Sequence, residues 1–253
     1  MNSLKIIWLS ANKFGYELLK ESVKIKDVEI ENIITLSDKS KTVMYDGIPR
    51  NKWYNFKINV IEIENINDEV ELLQNLSPDI IIMCGWRQVL KKEILDIPRY
   101  GMVGFHPTLL PFGRGPSPII NSILNGVRQT GVTMFYVSEG KDDGDIIGQE
   151  KFIITNKDHA DDVYNKVIKS GKKLIRSYLP MLLKGSAPRI PQEESKATFF
   201  PKLSLENNRI DFKNETIEEI YKKIRALSKP YNGAYLEKNG KRLVIWKAEL
   251  AEK

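Results

Sequence analysis

The pair in this sequence best suited to chemistry is a histidine set between a strand end and a proline, followed downstream by an aspartate in a glycine-rich turn. The histidine lies in Gly104-Phe105-His106-Pro107-Thr108-Leu109-Leu110-Pro111, and the aspartate in Gly140-Lys141-Asp142-Asp143-Gly144-Asp145. An imidazole titrates near neutral pH, so it can trade a proton with a reacting amine. A nearby carboxylate can fix its tautomer and raise its basicity. The plain alternative is a satisfied core histidine beside an unrelated turn aspartate. Two glycine-rich stretches carry weaker signals. Ser10 to Gly15 follows the first strand but lacks the G-x-G-x-x-G spacing that seats a pyrophosphate. Gly113-Arg114-Gly115-Pro116 lacks the ending of a phosphate-binding Walker loop, yet it places an arginine between two glycines just before a helix. That arrangement suits an anion, and equally a plain surface turn.

Composition removes other chemistries. The chain has 253 residues, one cysteine (Cys84) and two histidines (His106 and His159), so neither a disulfide framework nor a thiolate or zinc centre is expected. Hydrophobic residues make up 42% and charged residues 28%, ordinary for a soluble globular protein. No apolar run approaches the roughly 18 residues that span a membrane. The N-terminus enters a strand at Leu4 with no signal-peptide pattern, so the expected compartment is the cytoplasm. Most of the net charge of +6 falls after Ser195. A basic tail can meet phosphate, RNA or nothing; interleaved with acids, it reads first as a solvated surface near an anionic ligand.

The elements that must hold the pair follow from the hydrophobic pattern. Short apolar runs alternate with helical patterns, which predicts a parallel sheet covered on both faces. Strands are expected at Leu4 to Leu9, Ile30 to Leu36, Val60 to Ile63, Asp79 to Cys84 and Met102 to Phe105, with two more, Gly131 to Val137 and Ile146 to Ile154, flanking the aspartate turn. Helices are expected from Gly15, near Asp68 to Leu76, near Lys91 to Leu95, at Ser117 to Leu124 and, long and amphipathic, at Ala160 to Leu183. Residues 37–59 read as loop and Gly185 to Pro191 as linker. The tail shows an extended Thr198-Phe199-Phe200-Pro201, a helix near Ile217 to Leu227 and a hairpin about Asn239-Gly240. The expected division is 1–190 for the main α/β domain, Rossmann-like and mostly parallel, and 191–253 for a small α+β appendage.

Together these stretches resemble the folate-dependent formyltransferase family. The resemblance is carried by Ser77-Pro78-Asp79, the His106 and Asp142 segments, Arg114-Gly115 and Gly131-Val132-Thr133. It continues through Ala197-Thr198-Phe199-Phe200-Pro201-Lys202, Arg209-Ile210-Asp211-Phe212 and Ile224-Arg225-Ala226 to Pro230-Tyr231-Asn232-Gly233-Ala234-Tyr235, and so covers nearly the whole chain. It implies transfer of a formyl group from 10-formyltetrahydrofolate to an amine, without metal. His106 and Asp142 match the family's catalytic histidine and aspartate. The family asparagine that helps hold the formyl oxygen falls on Gly104, a departure. Losing one such donor costs a few kcal/mol of transition-state stabilisation. Either another donor serves (Asn12, Arg87 or Gln88), a water does, or the protein is slow or inactive.

The resemblance further implies a pterin pocket lined by Trp86, Arg87, Gln88, Val89 and Leu90 and closed by the loop carrying Asp143 and Asp145; Trp86 reads equally as a packed aromatic. Asn12, Thr108, Arg114, Gly115, Lys202 and Arg209 are the candidates for the acceptor. Too few residues follow Ser195 for the C-terminal barrel of a methionyl-tRNA formyltransferase. The tail wording looks most like nucleotide-sugar N-formyltransferases, which implies a UDP- or dTDP-linked 4-amino-4,6-dideoxy sugar as partner. Two alternatives remain: a tRNA-acting formyltransferase with a reduced tail, and a non-catalytic nucleotide-sugar binding protein. The tail's aromatic residues would serve either its own core or a homodimer interface.

Overall fold

The computed structural model describes residues 4–251. The chain opens with β1 (Ile6–Leu9), α1 (Lys13–Ser22), β2 (Ile30–Leu36), β3 (Asn59–Ile63), α2 (Val70–Leu76), β4 (Ile80–Met83), α3 (Lys92–Leu95) and β5 (Met102–His106). It continues through α4 (Pro118–Leu124), β6 (Gln129–Tyr136), β7 (Ile146–Ile153), α5 (Ala160–Leu183), α6 (Ile217–Leu227), β8 (Ala234–Lys238) and β9 (Lys241–Ile245). Seven strands form one sheet in the order β3-β2-β1-β4-β5-β6-β7, and β8-β9 form a separate hairpin. The first five run parallel, while β6 and β7 are antiparallel additions at one edge. The result is the expected Rossmann-like, mostly parallel sheet with a small antiparallel sheet near the C-terminus.

Both faces of the sheet are covered, which explains why its central strands are apolar without alternation. On one side Ile6, Trp8, Ile80, Ile82 and Val103 pack with Phe14 and Leu18 of α1 and with Val163, Val167 and Ile175 of α5. On the other, Ile7, Leu9, Ile81 and Met102 pack with Leu73 of α2 and Ile94 of α3. Each such side chain contributes roughly 1.5–3 kcal/mol on burial. The tail joins the first core through Ile220, Ile224 and Leu227 of α6. Ser228 Oγ also accepts the Ala160 N–H at the start of α5 (2.9 Å). At the hairpin tip Asn239 and Gly240 have φ of 52° and 70°, the left-handed pair that a two-residue turn demands.

Two expectations are corrected. Residues 37–59 are not all loop, because Arg50–Phe56 forms a 3-10 turn that places Trp53 fully inside the core against Tyr16 and Phe56. Aromatic burial there outweighs the turn-forming Asp46-Gly47 and Ile48-Pro49 signals. Nor is Gly185 to Pro191 a bare linker. Ile190 and Ile146 exchange both backbone hydrogen bonds (2.8 and 3.0 Å), giving the edge strand β7 a short partner.

Candidate active site

His106 closes β5, where Pro107 cannot continue the ladder. Its backbone neighbours Thr133 on β6, and Gly104, two residues earlier on the same face, lies between Met83 and Phe135. The ring is 6% exposed. Its Nε2 lies 2.8 Å from the Gly113 carbonyl, which can only accept, so Nε2 carries the hydrogen. In the neutral ring Nδ1 is then the free base, and it faces Asp142 Oδ2 at 3.6 Å. The tautomer is therefore set by Gly113, and not by Asp142 as the spacing of the two motifs suggests.

The loop supplying that carbonyl is fixed from below. Thr133 Oγ1 donates to the Thr108 carbonyl (2.7 Å) and accepts from the Leu110 N–H (3.0 Å). Gln149 on β7 donates to the Leu110 carbonyl and to Thr133 Oγ1 (2.7 and 2.9 Å). Thr108 is fully buried, its hydroxyl 3.5 Å from the Gly113 carbonyl. Asp142 is held from the side: it sits in the left-handed region (φ 54°), and its Oδ2 accepts the Gly115 N–H at 2.8 Å. A Cβ on Gly144 would stand 1.8 Å from the Tyr136 carbonyl oxygen, so the Asp142 loop can lie this close to the sheet only with glycine there.

The expected donors around the pair are differently occupied. Asn12 is the N-cap of α1: its Oδ1 accepts the Gly15 N–H (2.9 Å) and its Nδ2 donates to Asp46 Oδ2 (3.0 Å). Gln88 is also committed, accepting from Ile66 N–H (2.9 Å) and donating to Thr42 Oγ1 and the Glu64 carbonyl. Arg87 pairs with Asp46 at 3.2 Å and lies over the Tyr45 ring. These three side chains therefore already have polar partners inside the protein, which speaks against each as a substitute for the asparagine amide. At Gly104 itself, a Cβ would meet Val137 at 3.0 Å and the Phe135 ring at 3.2 Å. The volume next to the missing side chain is taken by hydrocarbon.

The pterin-pocket candidates divide as well. Trp86 and Leu90 pack beside Met83 and Val137 on the second core cluster, a partly buried apolar wall, while Val89 is 87% exposed. The indole N–H of Trp86 is buried without a protein partner among the described residues. An apolar wall with one unspent donor fits a flat heteroaromatic ring. In the aspartate loop, Asp143 accepts from Ser138 and Asp145 faces Arg189 at 3.9 Å. Arg189 in turn stacks on Tyr136 at 3.5 Å.

For the acceptor candidates the arrangement is less as expected. Gly115 contributes its backbone N–H to Asp142. Arg114 does not present its charge outward. It is 2% exposed, and its guanidinium is shared between Gln192 Oε1 (3.1 and 2.9 Å) and the Glu194 carboxylate (3.0 and 2.6 Å). The Glu194 hydrogen bond holds the guanidinium pKa above its ordinary value. The expectation of an anion ligand there gives way to a strut. Lys202 is exposed on the extended tail, and Arg209, also exposed, leans on Glu206 at 3.6 Å beside the hairpin. Neither is brought to His106 by any contact among the described residues.

Sequence reasoning passed over Asp46. This carboxylate is 8% exposed at the carboxyl ends of β1 and β4, where open α/β sheets place ligands. It accepts from Asn12, from Arg87 and from the Tyr164 hydroxyl (2.5 Å), which itself accepts the Phe14 N–H (3.0 Å). Burial and the Asp46 carboxylate push the Tyr164 phenol far above its ordinary pKa, so it remains a donor throughout the working pH range. Tyr164→Phe should cost about 1.5 kcal/mol, because a buried carboxylate loses a donor. Thermal melting checks this, with an expected fall of a few degrees.

Fold and site together define a Rossmann-like transferase with a histidine and a carboxylate at the ligand-binding edge of its sheet. The chain belongs to the formyl transferase family. The family model described as "Formyl transferase" matches residues 5–179, and that of the formyl transferase C-terminal domain matches residues 202–253. A methionyl-tRNA formyltransferase of Halalkalibacterium halodurans is 34% identical over 251 residues, 97% of this chain and 78% of that one. Among solved structures, a 4-N formyltransferase from Francisella tularensis superposes with a TM-score of 0.75 at 24% identity, covering 99% of each chain. An N-formyltransferase from Helicobacter canadensis, in complex with folinic acid and dTDP-3-aminofucose, gives 0.72 at 22% identity, over 94% of this chain and 85% of that one.

Proposed function

We propose that this protein moves a formyl group from 10-formyltetrahydrofolate to the primary amine of a nucleotide-linked amino deoxysugar, a UDP- or dTDP-linked 4-amino-4,6-dideoxy sugar. The observation that carries formyl transfer is the buried His106 with Nδ1 facing Asp142, at the end of β5 in a chain matched by the formyl transferase model. The donor, when bound, supplies the activated formyl carbon. Nδ1 of His106 takes the proton shed by the attacking amine, since Nε2 is committed to the Gly113 carbonyl, and returns it to the folate nitrogen as the bond from that nitrogen to the formyl carbon breaks. Asp142, steadied by the Gly115 N–H, balances the imidazolium that results. Trp86 and Leu90 are the residues that would hold the folate ring, with Asp143 and Asp145 on the loop that closes the pocket.

What supports the sugar acceptor is the match to a formyltransferase structure in complex with dTDP-3-aminofucose, together with the tail motif about Pro230-Tyr231. A second reading, methionyl-tRNA as acceptor, is favoured by the 34% identity to a methionyl-tRNA formyltransferase. One experiment separates them. The protein is incubated with 10-formyltetrahydrofolate and, in turn, a panel of UDP- and dTDP-linked 4-amino and 3-amino deoxysugars and methionyl-tRNA. Mass spectrometry should show one added carbonyl on a nucleotide sugar. Formylated methionyl-tRNA alone would establish the second reading, and no product with folded protein would remove both.

A further inference from the structure

Gln192, in the stretch between the main domain and the tail helix, makes a set of contacts that the reaction above leaves unexplained. Its side-chain amide donates to two carbonyls of the aspartate loop, Asp142 O and Gly144 O, each at 2.8 Å. Its Oε1 accepts twice from Arg114, from Nε at 3.1 Å and Nη2 at 2.9 Å. Arg114 is the residue between the two backbone groups that address the catalytic pair. Gly113 before it gives the carbonyl to His106, and Gly115 after it gives the N–H to Asp142. The contacts therefore close a ring. It runs from His106 through Gly113, Arg114 and Gly115 to the Asp142 carboxylate, then returns from the Asp142 backbone through Gln192 to the Arg114 side chain.

Three features make this ring more than a surface link. The Arg114 charge polarises the Gln192 amide and strengthens its two donated bonds. One of those bonds falls on Asp142, which sits in the left-handed backbone region (φ 54°), a conformation that costs an aspartate energy unless its surroundings hold it there. The tail clamps the opposite arc of the ring, Gly113 and Arg114: Thr198 Oγ1 accepts the Gly113 N–H (2.8 Å), the Thr198 carbonyl accepts the Arg114 N–H (2.9 Å), and Phe200 N–H donates to the Arg114 carbonyl (2.8 Å).

We infer that Gln192 is a positioning residue: it fixes the Asp142 carboxylate opposite His106 Nδ1 and so makes residues 192–200 part of the reaction machinery. This rests on the reading of His106 and Asp142 as the catalytic pair. Only an amide serves both ends, because a carboxylate at 192 still binds Arg114 but has no hydrogen for the two carbonyls, and a thioether offers neither contact.

The test compares Gln192→Glu and Gln192→Met with the native protein, using 10-formyltetrahydrofolate and the acceptor that gains the carbonyl in the panel. Both variants should lower kcat at least about 10-fold, as displacement of a catalytic group by a fraction of an ångström does, with KM for the folate unchanged within about 3-fold. The Gly115 amide, whose protection reports the Asp142 carboxylate in place, should exchange with deuterium at least about 10-fold faster while sheet amides do not change. Native kcat in both variants overturns the inference, as does an equal loss when Gln192→Met is added to Asp142→Asn, since a residue acting through Asp142 loses its effect once that carboxylate is gone. Should Asp142→Asn alone keep the native rate, the catalytic reading falls, and Gly115 exchange in the Gln192 variants still decides whether the amide holds the loop.

Discussion

Replacing His106 with alanine is expected to lower kcat at least about 10²-fold, equivalent to about 2.7 kcal/mol of barrier, while the protein stays folded. Two effects must be separated for the result to mean this. The substitution removes a buried hydrogen bond to the Gly113 carbonyl, worth about 1 kcal/mol, and leaves a small void under a loop. Thr133, Gln149 and Thr198 hold that loop independently of the ring, so the stability loss should be limited to a few degrees of melting temperature. The rate loss should be far larger, because no other histidine lies near: His159 begins α5, with its Nδ1 at the Lys157 carbonyl. The measurement is single-turnover formyl transfer at matched folded fraction. Near-native turnover in the variant would rule out His106 as the proton carrier.

How much of this was legible in the sequence depends on the range over which each feature is determined. The central strands β1 and β4 were readable because each is an uninterrupted apolar run, as in Ile80 to Met83 between Ser77-Pro78 and Gly85. The long helix was readable because Val163, Val167, Leu174 and Leu182 recur at helical spacing and do face the core. His106 and Asp142 stood out because each sits in a rigid motif, and the sheet does bring them to 3.6 Å. The partners of the pair were not readable. A backbone carbonyl such as that of Gly113 carries no mark in its residue type, and Gln192 reaches Asp142 only after the chain has crossed the sheet and returned through α5. Arg114 misled for a related reason. Flanking glycines suggest a cradle for an anion, but here they bring two backbones together, and the anion that arrives is Glu194 of the chain itself.

Gly104 poses the sharper question, and its answer is expected to run against intuition. Placing an asparagine there, Gly104→Asn, should destabilise the protein by about 3 kcal/mol and should not raise turnover. The reason is packing. Gly104 stands directly across from Phe135 on β6, and that ring, 3% exposed, comes close beside the place where the first carbon of a side chain would go. A Cβ alone would sit 3.0 Å from Val137 and 3.2 Å from Phe135, tight enough that both must shift. The amide beyond it would add overpacking of about 1–3 kcal/mol and, if trapped against hydrocarbon, a further penalty of about 1–3 kcal/mol for unmet hydrogen bonds. Phe135 is thus the complement of Gly104, an aromatic ring covering a strand glycine, and the two positions make sense only as a pair. On that argument the polar group facing the formyl oxygen in this chain, whatever it is, does not come from position 104. A melting curve and a rate settle the matter together. A variant that melts like the native protein and turns over faster would show that the amide had merely been lost, with space for it still waiting beside Phe135. A lower melting temperature with no gain in rate, partly relieved by adding Phe135→Leu, would show that this strand pair was rebuilt around the smaller residue.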